Sequence, residues 1–184
     1  MPVLAEDART SITRSFRFET DVLKMLDEEA ERMGISVNAL VGIVLRRYTE
    51  FTRYLSKIDM VVINREILTS LLEQLDEEEL CKLGLKLGET VMSDTVIFWK
   101  KETSEAAVME YIEKVICRYG HLGTYDEKQM PGGAIAIVVR HRLGKKGSRF
   151  LEGYLQAGLR TMLGINAIFE VTDSSIKCEL PPRR

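Results

Sequence analysis

Between Ser11 and Phe18 the chain alternates in character, with Ile12, Phe16 and Phe18 at one parity and Thr13, Ser15 and Arg17 at the other. Period-2 spacing places these sets on opposite faces of an extended strand, one suited to packing and one to polar recognition. A lone strand leaves its backbone groups unpaired, so this one is expected to need a second chain beside it. The period then changes. Val22, Leu23, Leu26, Ala30 and Met33 recur at helical spacing, with Asp21, Asp27, Glu28, Glu29 and Glu31 between them, and Glu19 or Thr20 stands where a helix beginning near Asp21 needs a cap. Gly34 suits the left-handed residue that ends a helix, and Ser36 suits the cap of the next. The following helix carries a broad apolar stripe through Val37, Leu40, Val41, Val44, Leu45, Tyr48 and Phe51. It is too apolar to remain uncovered.

This combination of a polar/apolar strand, an immediate helix, a Gly-x-Ser turn and a second apolar helix resembles the ribbon-helix-helix family of Arc and Met repressor type, over about Thr10 to Leu55. The resemblance implies two chains whose strands pair into an antiparallel ribbon in the DNA major groove, with intertwined helices as the dimer core. It implies Thr13, Ser15 and Arg17 as base contacts, and Ser36, Val37 and Asn38 at the second helix's N-terminus as a phosphate anchor. Arg can bond guanine bidentately, hydroxyls can bond several base edges, and free helix amides favour an anion. Arg14 departs from the family pattern: it occupies the packing parity, where an apolar residue is usual. It is read as a flanking phosphate contact, its alternative being a stem packed on the partner's Phe16.

Ser56-Lys57-Ile58-Asp59 interrupts the helical pattern, which divides the chain into a ribbon-helix-helix domain, 1–57, and an α+β regulatory or oligomerisation domain, 58–184. In the second, Met60 to Ile63 reads as a short strand. Asn64 caps a helix bearing Ile67, Leu68, Leu71, Leu72 and Leu75, and Asp76 with Glu79 forms a capping pair for a further helix through Leu83. Gly84 and Gly88 are expected to break the helical run. Thr95 to Trp99 reads as a strand, about Ser104 to Tyr119 as a helix, and Leu122 to Tyr125 as a strand. Beyond the Gln129-Met-Pro-Gly-Gly133 turn come a strand Ala134 to Val139, a helix Ser148 to Leu163, and strands Ala167 to Val171 and Ile176 to Leu180. Thr95 to Val171 is thus a βαββαβ order of ferredoxin-like character. Nickel-responsive repressors join a similar pair of domains, but His121 and His141 do not reproduce their closely spaced histidines.

The chain of 184 residues is 45% hydrophobic and 29% charged, an ordinary globular composition. Its net charge of -2 means that any attraction to DNA must be local. Arg9, Arg14 and Arg17 supply that locality, with no acid between Ala8 and Phe18, and a dimer doubles it. Without a long apolar run or an N-terminal leader pattern, the chain reads as cytoplasmic with no membrane partner. Cys81, Cys117 and Cys178 are widely spaced and read as buried free thiols.

Three further constellations bear on function. Arg140, Arg142, Lys145, Lys146 and Ser148 form a basic loop leading into a helix, a candidate anion or effector site, its plainer alternative being a solvated loop. Cys117, His121 and His141 are weak candidates for a metal site; no metal or other cofactor is expected. Nucleophile-elbow, phosphate-loop and zinc-helix motifs are absent from the sequence, which argues against an enzyme. The expected protein is a transcription regulator whose partners are double-stranded DNA, a second copy in a homodimer or a tetramer, and a small-molecule effector. Two alternatives stay open: an antitoxin-like protein that binds DNA and neutralises a protein partner, and a dimeric ligand-binding or assembly module that does not touch DNA.

Overall fold

The structure, a computed structural model, describes residues 12–182. Two compact units make up the chain, one reaching to Arg46 and the other starting at Arg47. Arg9 and Ser11 lie outside the described residues. In the first unit, residues 12–19 have no regular secondary structure, where a strand is expected, and lead into α1, Thr20–Met33, and α2, Val37–Glu50, whose last turn from Arg47 belongs to the second unit. Glu19 occupies the cap position of α1 without a side-chain bond. The turn between the helices is as the sequence requires. Gly34 adopts φ 66°, and its N–H and that of Ile35 return to the Ala30 and Glu31 carbonyls. Ser36 Oγ accepts from the Ala39 N–H at 3.2 Å. Among the described residues before Arg47, only Ala30 and Leu40 are buried.

Near the start of the second unit Phe51 packs in its core, 6% exposed and stacked on Tyr119 with ring centroids 5.3 Å apart. The sequence places Phe51 on the stripe of the N-terminal helix pair. In fact a short 3-10 helix, Thr52–Lys57, begins just after it. Met60 to Ile63, expected as a strand, join no sheet; their chain runs on to α3, Arg65–Leu72, where the Asn64 side chain accepts from Glu66 N. A full capping box of Asp76 and Glu79 starts α4, Glu77–Leu87.

Gly84 and Gly88 do not break that helix. The chain passes from α4 through a π turn, Gly88–Met92, into α5, Ser93–Lys100. The glycines serve the contact with α7, Gly144–Leu163: a Cβ at Gly84 would collide with the Phe150 carbonyl oxygen, and one at Gly88 with that of Tyr154. Gly153 reciprocates from α7, where a Cβ would collide with the Cys81 carbonyl oxygen. Backbone touches backbone here, and packing outweighs glycine's poor helix propensity. The same contact corrects the expected strand Thr95 to Trp99. Met92 and Val96, both wholly buried, sit one helical turn apart, so tertiary burial overrides the β-propensity of the run.

After α5 come α6, Glu105–Glu110, capped by Ser104 Oγ, and a π-helical continuation, Tyr111–Tyr119. The sheet comprises β1, Gly123–Gln129; β2, Ile135–His141; β3, Ile168–Val171; and β4, Ser175–Leu180. It is wholly antiparallel with order β1-β2-β4-β3, in register Tyr125 with Val139, Ile137 with Cys178, and Glu170 with Lys177. From α5 to β3 the order is therefore ααββαβ, in place of the expected βαββαβ, the difference being the helix α5 where the first strand is expected; β4 follows, and the fold is α+β. The larger core joins the Tyr111–Tyr119 helix and α7 through Ile112, Val115, Leu155 and Leu159 to Ile137 and Cys178 of the sheet. Tyr111 and Tyr154 meet inside it, hydroxyl to hydroxyl at 2.8 Å, and burial pushes both phenols above their ordinary range. Among the described residues no helix is long and apolar enough to cross a membrane.

Candidate nucleic-acid interface

Thr13, Arg14, Ser15 and Arg17 are all exposed on the extended segment before α1. Neither arginine forms an ion pair among the described residues. Phe16 and Phe18, one strand period apart, bring their rings to 6.4 Å between centroids, and Phe16 is 64% exposed. The polar, cationic side chains and the apolar ones are thus alike exposed, and Phe16 and Phe18 have only each other as ring partners among the described residues. At the second helix, Leu40 N–H is the donor of the first intrahelical bond, to Ser36 O at 3.0 Å, so the amides of Val37 and Asn38 precede the ladder. With Ser36 bonded to Ala39 and no acid in the first turn, this N-terminus has the polarity to accept a phosphate.

The basic loop of the second unit is differently arranged from the sequence expectation. The helix starts at Gly144, φ 70°, so Ser148 lies inside α7 and its surroundings offer no free amides. Acids already hold most of the cations. Lys145 pairs with Glu77 at 2.8 Å, and Lys146 pairs with Glu73 at 3.2 Å and donates to the Glu73 carbonyl at 2.8 Å. Arg140 pairs with Asp126. Arg142 is exposed and forms no ion pair among the described residues.

His141 and Ser148 are both buried and meet at 2.9 Å between Nε2 and Oγ. Leu143 N–H donates to His141 Nδ1 at 3.2 Å, which makes Nδ1 the acceptor and Nε2–H the donor to Ser148. Burial lowers the pKa of the ring, which suits this neutral tautomer. Both ring nitrogens are thus engaged. Cys117 is buried, and its thiol is pushed up to about 12 by that burial and then by Glu113; His121 is exposed. Cys117, His121 and His141 do not converge, and no group of three His, Cys, Asp or Glu placed to hold a metal occurs among the described residues.

The most connected polar cluster escapes sequence reasoning altogether. Trp99 Nε1–H donates to the Glu50 carbonyl at the end of α2 at 3.0 Å, and Tyr119 O–H donates to the Glu50 carboxylate. Lys114 bridges Glu50, at 3.7 Å, and Glu110, at 2.5 Å, while Lys100 joins Glu110 and lies 4.3 Å from the Trp99 ring centroid. Here two lysines hold the Glu110 carboxyl below its ordinary value against the opposing effect of burial. The partners are 49 and 69 residues from Glu50, and no local pattern joins them. Compared with models of known families and with curated proteins, the chain matches none.

Proposed function

We propose that this chain is a sequence-specific DNA-binding transcription regulator that acts as a dimer, reading the major groove with an antiparallel ribbon made from residues 12–18 of two copies. The observation that carries the reading is the N-terminal unit's inability to cover itself. Ile12, Phe16, Leu23, Ile43, Val44 and Leu45 all stand exposed, where a self-sufficient unit of this size would bury them. A second copy supplies both what the helices lack in apolar cover and what the extended segment lacks in hydrogen-bond partners. Thr13, Ser15 and Arg17 then face the base edges, while Arg14 and the Ser36-Val37-Asn38 amides reach phosphates. Residues Arg47 onward form a unit with its own core, which favours a sensing or assembly role over the short disordered tail of an antitoxin.

Sedimentation equilibrium combined with titration of a labelled duplex pool at low salt tests this directly. The expected species is a dimer that retards DNA, with affinity falling steeply as salt rises. A chain that sediments as a monomer, or that leaves DNA free at low salt, overturns the proposal.

A further inference from the structure

We propose that the C-terminal unit binds a small amphipathic anion, an apolar body ending in a carboxylate, with its head on Arg65. Two concavities flank this residue and share Arg65 and Leu122 as lining. The larger, of about 460 Å³, falls within the size range of small-molecule sites, and Phe51, Leu55, Met60, Ile63, Leu68 and Leu143 make it apolar. Its charged lining is Arg47 and Arg65, with no carboxylate. The smaller, of about 210 Å³, is polar, lined by Arg65, Thr124, Arg142 and an Arg140 that Asp126 already pairs; its lining includes no carboxylate, and Arg65 and Arg142 are its open cations. A hydrocarbon or aromatic body fits the first chamber, and its negative end fits the boundary between them. A cation or a neutral polar molecule fits neither.

Arg65 is held ready for this task. Its Nη2 donates to the His121 carbonyl at 2.9 Å, which fixes the guanidinium while leaving the rest of its donor fork open. His121 itself has φ 53°, a left-handed conformation costly for a residue with a side chain, and that conformation aims the carbonyl at Arg65. Arg142, unpaired among the described residues, supplies a second cation beside it. The chain at Met60–Ile63 forms a wall of the apolar chamber. It is held by Met60 N–H on Leu55 O and by the α3 cap, with no other backbone hydrogen bond among the described residues. Val62 is 93% exposed, so the wall presents little packing to oppose a ligand's passage.

As an effector site this deepens the regulatory reading and rests on it; binding itself does not, and is measured with no DNA present. Isothermal titration with octanoate, octan-1-ol and octylamine provides the test, on the full chain and on Arg65→Gln. The expected result is saturable octanoate binding at one per chain, at least about 10-fold weaker binding of octanol, and none of octylamine, with Arg65→Gln losing about 10-fold or more for octanoate. If Arg65→Gln does not fold, Arg142→Ala, an exposed position, takes its place with a several-fold loss expected. No saturable binding of octanoate, octanol binding as tightly as octanoate, or variants indistinguishable from the parent overturns the proposal.

Discussion

Replacing Gly84 by Ala probes the closest backbone contact in the C-terminal unit. The added Cβ would collide with the Phe150 carbonyl oxygen and lie 2.9 Å from Tyr154 N, and neither obstacle is a side chain able to rotate away. The two helices must separate, loosening Leu80, Leu151 and Leu155, all nearly or fully buried. Overpacking of this kind costs about 3 kcal/mol, at the upper end for such sites because only backbone can yield. Alanine's better helix propensity returns about 1 kcal/mol, leaving a net loss of about 2 kcal/mol. For a domain of this size that is about 6 °C in Tm. Trp99 is the only tryptophan and lies in α5, so its fluorescence during urea unfolding reports this unit alone. Gly153→Ala, which meets Cys81 O and Leu85 N across the same contact, should cost a similar amount, and the double variant less than the sum, since helices already apart leave room for the second methyl. A Gly84→Ala chain as stable as the parent, or strictly additive losses, would refute the close-approach argument.

Other expectations follow from the polar clusters. The pKa of His141 is lowered in the folded chain, so below the ordinary histidine value of about 6.5 the unfolded chain takes up a proton first and stability falls with pH. His141→Asn, whose side-chain oxygen can replace Nδ1 as acceptor from Leu143, should abolish that decline; urea midpoints at about pH 7 and about pH 5.5 measure it, and an equal decline in both chains contradicts the assignment. Trp99→Phe and Tyr119→Phe each remove a donor to Glu50 and should each cost about 1 kcal/mol, with the pair non-additive because both act on one residue. A calorimetric double-mutant cycle with no coupling would contradict a shared cluster.

Much of the N-terminal unit is legible because its signals are local. Gly34 and Ser36 form the turn their chemistry demands. In the C-terminal unit, caps such as Asn64, Asp76 with Glu79, and Ser104 are equally readable, as are the strands on either side of Pro131. What is not legible depends on distant neighbours. Gly84 and Gly88 look like breakers until α7, some 70 residues later, provides the surface that needs them, and Val96 looks like strand until Met92 shares its burial. The basic loop is read as open because its carboxylate partners, Glu73 and Glu77, lie on a different segment. Arg65 carries no local signal either, since the His121 carbonyl it bonds lies 56 residues away.

The central claim, that residues 12–18 read DNA sequence from a two-chain ribbon, is tested most directly by selecting bound fragments from a random duplex pool at about 150 mM salt, for the parent and for Arg17→Ala. At that salt, non-specific phosphate binding is weakened and base contacts dominate selection. The expected outcome is an enriched site with two related half-sites, blurred at one position in each half in the variant, corresponding to about 1–3 kcal/mol per lost base contact. Equal enrichment of the same site by parent and variant, or no enriched site with either, would contradict it.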